Sequence, residues 1–180
     1  MNSFFEIIRE GINTTFQDFG RNNLNHIGIP TSGAMDSRNY RLANSIVGNV
    51  YGSPVVEFAY QGPLLKYKGE KIKIVVTGDV SFKIKKKDNE FKCNCYETYI
   101  LENNDEIDIV STNKSVYGYL AISGIIDLSL QWNSCSINTK ANIGSNDGKK
   151  LAKNQKIKIQ KINDNLRPQK LNYLNTRIEK

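Results

Sequence analysis

The sequence predicts a mainly β fold, a barrel or a sandwich, with one principal α-helix near Ala34–Val47. Three observations predict it. About ten short alternating or β-branched runs recur at a spacing of roughly 8–12 residues. Gly, Pro, Asn and Asp punctuate them as turn formers. A single segment abandons the period of two for helical spacing.

Taken in order, Phe4-Phe5-Glu6-Ile7-Ile8 opens as a strand, and Val55 to Tyr60 is a second, closed by the turn Gln61-Gly62-Pro63. Leu64 to Tyr67 resumes extended chain. Lys71 to Thr77 begins by alternating and ends continuous, as a strand does on passing from a wet face into a core. Gly78-Asp79 turns the chain into Val80 to Ile84, and Tyr96 to Leu101, Ile107 to Val110, Val116 to Ile122 and Ile157 to Ile162 complete the strands. In the exception, Met35, Leu42, Ala43, Ile46 and Val47 recur at helical spacing, with Ser32 or Asp36 available as N-cap and Gly48-Asn49 as the stop. Such a helix could plug or cover one open end of a barrel.

The 180 residues suit one domain, expected over residues 1–163, and the polar segment 164–180 with Pro168 reads as a tail or linker. Twenty-five Lys+Arg against 18 Asp+Glu give a charge of +7, and 39% hydrophobic with 24% charged residues is an ordinary globular balance. The longest basic cluster, Lys83 to Lys87, reads as a strand end entering the polar turn Asp88-Asn89-Glu90, its lysines protecting a sheet edge. Without interleaved aromatics or a binding motif, the charge does not point to nucleic acid. No apolar run approaches the roughly 20 residues of a membrane-spanning helix. The opening MNSFFEIIRE has no signal-peptide pattern, and three cysteines cannot pair completely, so a cytoplasmic location is expected.

The densest polar cluster precedes the helix: TTFQDFGR from Thr14 to Arg21, then HIGIPTSGAMD from His26 to Asp36. Gly20, Gly28 and Gly33 allow close backbone approach and positive φ. Asp18, Arg21, His26, Ser32 and Asp36 fall in one short stretch that ends at a helix start, where free N–H groups and the dipole suit a carboxylate or phosphate. The local alternative is a capped loop in which Asp18 pairs with Arg21 and Ser32 caps the helix. His26 is the sole histidine, so no two-histidine metal site exists, and no metal is expected. Cys93-Asn94-Cys95 is a lone C-x-C on an ordinary strand, and Trp132 reads as a core anchor. Neither a phosphate loop nor a nucleophile elbow appears, so any ATP would bind by another mode or on another chain.

These clusters, with RLANSIVGN (Arg41 to Asn49), a strand ending in Glu57, QGPLL (Gln61 to Leu65), VVTGD (Val75 to Asp79), YLAISGIID (Tyr119 to Asp127) and IGSNDGKKLAKNQKIKI (Ile143 to Ile159), resemble the biotin-dependent carboxyltransferase family. That family takes in the second subunit of allophanate hydrolase-like proteins, KipA-type proteins and the C subunit of the ATP-dependent 5-oxoprolinase. The resemblance implies a cyclophilin-like β-barrel and amide or lactam chemistry. It implies the role of that C subunit, in a complex with the A and B subunits of 5-oxoprolinase, opening 5-oxoproline to glutamate with ATP. A KipA-like protein-binding module and a biotin-dependent urea or allophanate-type carboxyltransferase are the alternatives. In the 5-oxoprolinase role, Asp18 and His26 would move protons, and Arg21, Ser32, Gly33 and Asp36 would bind substrate. Biotin is not expected, because no Ala-Met-Lys-Met attachment site occurs and Gly33-Ala34-Met35-Asp36 lacks the lysine.

Two departures accompany the likeness. Family members continue through a second barrel-like half, so this chain looks like the N-terminal half. Where the family has Gly-Ser-Arg-Ser-Thr, Asn133-Ser134-Cys135-Ser136-Ile137 puts a thiol in place of a guanidinium, and the family's Gly-Gly is Gly124-Ile125.

Overall fold

A computed structural model describes residues 3–87, 89–162 and 167–170. Among these residues twelve strands pair antiparallel: β1 (Phe4–Arg9), β2 (Thr15–Gln17), β3 (Val55–Ala59), β4 (Leu64–Lys68), β5 (Ile72–Thr77), β6 (Val80–Lys86), β7 (Asn89–Cys93), β8 (Thr98–Leu101), β9 (Glu106–Thr112), β10 (Tyr117–Ile122), β11 (Gly124–Ile126) and β12 (Lys156–Ile162). They divide into a seven-stranded sheet, β11-β12-β1-β4-β9-β6-β7, and a five-stranded sheet, β2-β3-β10-β5-β8. The mainly β class with one α-helix stands. Among the described residues no ladder joins the two sheets into one closed cylinder.

The main core lies between the sheets and includes Phe5, Ile7, Tyr67, Ile84 and Ile107 from the larger one and Phe16, Val56, Phe58, Ile74 and Leu120 from the smaller. The second core explains the continuous apolar runs. The helix α1 (Ser37–Val47) packs Tyr40, Ala43, Ile46 and Val47 against Val55, Val75, Tyr119 and Ala121 on the outer face of the five-stranded sheet. β3 and β5 are therefore buried on both faces along their whole length. The helix covers a sheet face rather than a barrel end.

The helix starts three residues later than its apolar spacing predicts. Asp36 is the N-cap, accepting from Asn39 N at 3.0 Å, and Ala34 to Asp36 are not helical. Their N–H groups are taken by other parts of the fold, as the site shows. The stop is as expected: Gly48 adopts φ 79° and its N–H returns to the last turn.

Two further expectations change. Trp132 is exposed, on a tight turn at φ 51°, and anchors no core. The Lys83–Lys87 cluster does not protect an edge, because β6 is interior to its sheet and β7 is the edge strand. Lys83 pairs with Glu90 at 3.0 Å and Lys86 lies 3.4 Å from Asp105. Within the expected tail, Thr98 N donates to Gln169 O at 2.9 Å, and Lys170 pairs with Glu97. The rest of the expected tail lies outside the described residues. No helix among them is long and apolar enough to cross a membrane.

Candidate functional site

The polar cluster folds as two loops clasped backbone to backbone. Arg21 N donates to Thr31 O at 2.7 Å and Ala34 N to Asp18 O at 3.1 Å. Two glycines make the clasp possible. A Cβ on Gly20 would stand 2.4 Å from Thr31 O, and one on Gly33 2.9 Å from Phe19 O, with both residues at positive φ.

A third segment fastens this clasp to the sheet. Extended chain from Ser134 to Ile137 runs beside β2, with Ile137 N on Phe16 O at 3.0 Å. Asp18, 8% exposed, is its hub. The carboxylate accepts from Ser134 Oγ at 2.6 Å, Ser136 Oγ at 2.5 Å, Cys135 N at 2.8 Å and Gly20 N at 2.7 Å. Burial pushes the Asp18 pKa up, but these four donors outweigh it and hold the group below the ordinary carboxylate range. Asp18 is thus a fixed anion, with three donors on Oδ1 and one on Oδ2.

Asp18 and Arg21 form no ion pair, so the capped-loop reading fails in that respect. Arg21 is 1% exposed and donates from Nε to Gln131 O at 3.1 Å and from Nη2 to Ser136 O at 2.7 Å. Its Nη1 has no partner. Burial lowers the Arg21 pKa, with Asp18 acting in the opposite direction. The guanidinium expected to reach a substrate ties the loop to the 131–136 segment.

His26 is not brought to Asp18. It lies exposed on a short 3-10 turn, Asn25–Ile27, between the clasped strands of loop. Ser32 does not cap the helix; its Oγ is 3.4 Å from Asn138 Nδ2. Asp36 spends both oxygens on Asn39, through N at 3.0 Å and Nδ2 at 2.7 Å. The positive end of α1 faces the chain's own carboxylates, not an open anion receptor. Met35 N donates to Glu57 Oε2 at 2.8 Å, Tyr119 Oη to the same oxygen at 2.9 Å, and Asp36 N to Tyr119 Oη at 2.6 Å.

Glu57, 3% exposed on β3, was legible only as a carboxylate inside the apolar run VVEFA. Burial raises its pKa, against the opposing pull of Met35 N–H and Tyr119 Oη. A raised folded-state pKa means the native state binds more protons than the unfolded one in that window, so stability falls as pH rises through it. Glu57→Gln keeps an acceptor for both donors and removes the charge. Its stability relative to the parent is expected to improve as pH rises above the ordinary carboxylate range, as urea unfolding at a series of pH values would show.

Ser134 and Ser136 also went unread. Besides the likeness of their stretch to Gly-Ser-Arg-Ser-Thr, their signal was the spacing of two, which puts both hydroxyls on one side of extended chain. No group of three or more His, Cys, Asp or Glu able to hold a metal exists among the described residues.

Residues 27–179 match the family model described as carboxyltransferase domain, subdomain A and B. The chain belongs to this family. A urea amidolyase of Lachancea kluyveri is 33% identical over 155 residues, covering 82% of this chain and 8% of that protein. The C subunit of the Haemophilus influenzae 5-oxoprolinase is 30% identical over 152 residues, covering 84% of this chain and 47% of the relative. The crystal structure of Kluyveromyces lactis urea amidolyase superposes with a TM-score of 0.81 at 32% identity, over 87% of this chain and 9% of that one. The chain therefore spans about half the length of the 5-oxoprolinase relative and a small part of the urea amidolyases. Cys135 is buried and serves Asp18 through its backbone N–H at 2.8 Å.

Proposed function

We propose that the chain is the N-terminal half of a component resembling the C subunit of an ATP-dependent 5-oxoprolinase complex, which opens 5-oxoproline to glutamate. The observation that carries the reading is the clasp itself. An ionised, fully engaged Asp18 makes a rigid platform of the loops on either side of the exposed His26, in a chain that aligns with about half of such a 5-oxoprolinase component. Rigid support of an exposed titratable side chain suits general acid–base work.

An unactivated lactam resists hydrolysis, and phosphorylation of its amide oxygen by ATP makes the ring carbon attackable. Water adds there, the C–N bond breaks with a proton passing to nitrogen, and a second water releases phosphate from the resulting acyl phosphate. In this reading ATP sits on partner chains, homologues of the A and B subunits of 5-oxoprolinase. His26 carries the proton to the ring nitrogen, while Asp18 and Arg21 position the loops. Ser32 and Gly33 contribute backbone to the platform.

Reconstitution with the complementary half and the two partner subunits tests this. ATP-dependent glutamate formation is expected, and His26→Ala should slow it by about 100-fold or more. An equal rate without the chain, or none with every component present, would refute the reading. The urea amidolyase likeness favours a second reading, carboxyl transfer from carrier-borne biotin to a urea-like acceptor. The same preparation, given carboxylated carrier and urea in place of 5-oxoproline and ATP, separates the two.

A further inference from the structure

We propose that the cavity walled by Phe19, Tyr51 and Arg41 binds a small single-ring acid, its ring on the aromatic faces and its carboxylate on the Arg41 guanidinium. The cavity encloses about 210 Å3 beside the clasp. Three stretches of chain build it: Phe19 from the loop, Tyr40, Arg41 and Asn44 from one side of α1, and Tyr51 from the turn beyond the helix stop.

The aromatic walls are set by mutual contact. Phe19 meets Tyr40 edge-on at 5.0 Å and lies tilted on Tyr51 at 4.3 Å between ring centroids. Tyr51 is nonetheless 75% exposed, so a large ring face is held in water where a ligand could cover it. The polar floor is already satisfied. Tyr40 Oη and Asn44 Nδ2 both donate to Ser53 O at 2.9 Å, and Asn49 Nδ2 donates to Asn44 Oδ1 at 3.0 Å and Ile122 O at 2.9 Å. These amides stiffen the cavity and leave little to read a ligand with.

Arg41 is different. It stands 5.6 Å from the Phe19 centroid and enters no ion pair or hydrogen bond among the described residues. No carboxylate lines the cavity. An unspent guanidinium beside stacked rings selects a flat anion. Size narrows the class, since drug-sized ligands fill about 300–1,000 Å3. The space suits a single ring. On the functional reading above, on which this identification rests, 5-oxoproline is of this size and charge: a five-membered lactam with a planar amide unit and one carboxylate.

Calorimetric titration of the full chain tests the site with three probes. These are 5-oxoproline, 2-pyrrolidinone, which has the same ring without the acid, and benzoate, a planar acid with another ring. Saturable binding of both acids is expected, with pyrrolidinone weaker. Arg41→Ala should weaken the acids by roughly tenfold or more, and Tyr51→Ala should weaken all three. Both side chains are exposed, so the variants should keep the parent's thermal unfolding. Failure of both acids to bind, or binding indifferent to both substitutions, overturns the proposal. Benzoate bound through Arg41 without 5-oxoproline would uphold the cavity and count against the 5-oxoprolinase reading. Full-rate glutamate formation by a complex carrying both substitutions would overturn the cavity and leave that reading intact.

Discussion

Asp18→Ala is expected to destabilise the protein by about 3–5 kcal/mol, the range for removing one partner from a buried charged network. The substitution strands two serine hydroxyls and two backbone N–H groups in a site closed to water. Each stranded donor keeps its desolvation cost and loses its acceptor. Asp18→Asn should cost less, because one amide oxygen still accepts. Urea unfolding near neutral pH measures both. The pH dependence has a definite sign. Because the folded pKa is depressed, the unfolded state binds more protons between the two values, and stability rises with pH there. The parent should lose this contribution progressively below about pH 4, and Asp18→Asn should not show that loss.

Gly20→Ala is expected to cost about 3 kcal/mol or more, from left-handed strain plus a clash that nothing soft can absorb. The obstructing atom, Thr31 O at 2.4 Å, is backbone and already accepts from Arg21 N. Relief means opening the clasp. Gly28→Ala is the control, because φ is nearly the same (80° against 81°) and its Cβ would meet nothing within 4 Å. That variant should lose only about 1–2 kcal/mol. Faster amide exchange at Arg21 and Ala34 in Gly20→Ala, and not in Gly28→Ala, would tie the loss to the clasp.

Local patterning revealed most of the fold. Strands with strong alternation or β-branched runs, such as Val80–Lys86 and Tyr117–Ile122, were readable because their side chains answer to a core. β2 and β11 were missed because three residues are too few to show a period. β7 was hidden by exposed polar residues, as an edge strand often is. The helix start moved from Ala34 to Ser37 because tertiary partners, Asp18 O, Glu57 and Tyr119, claim the N–H groups of Ala34, Met35 and Asp36.

At the site, glycines and charged residues near one another in sequence marked the loops correctly. Their partners were invisible for a physical reason. Ser134, Cys135 and Ser136 lie more than a hundred residues from Asp18 and meet it only when β2 packs beside their segment. The same distance hid that Arg21 spends its donors on Gln131 and Ser136 carbonyls.

The account turns on Asp18 as an ionised fastener of the two clasped loops. Following the Asp18 side-chain carboxyl carbon by NMR as pH is lowered tests it most directly. An inflection below about 3.9, the value for an unconstrained aspartate, is the predicted result. An inflection at or above that value would mean that burial outweighs the four donors, and the platform would then be held together by something other than this charge.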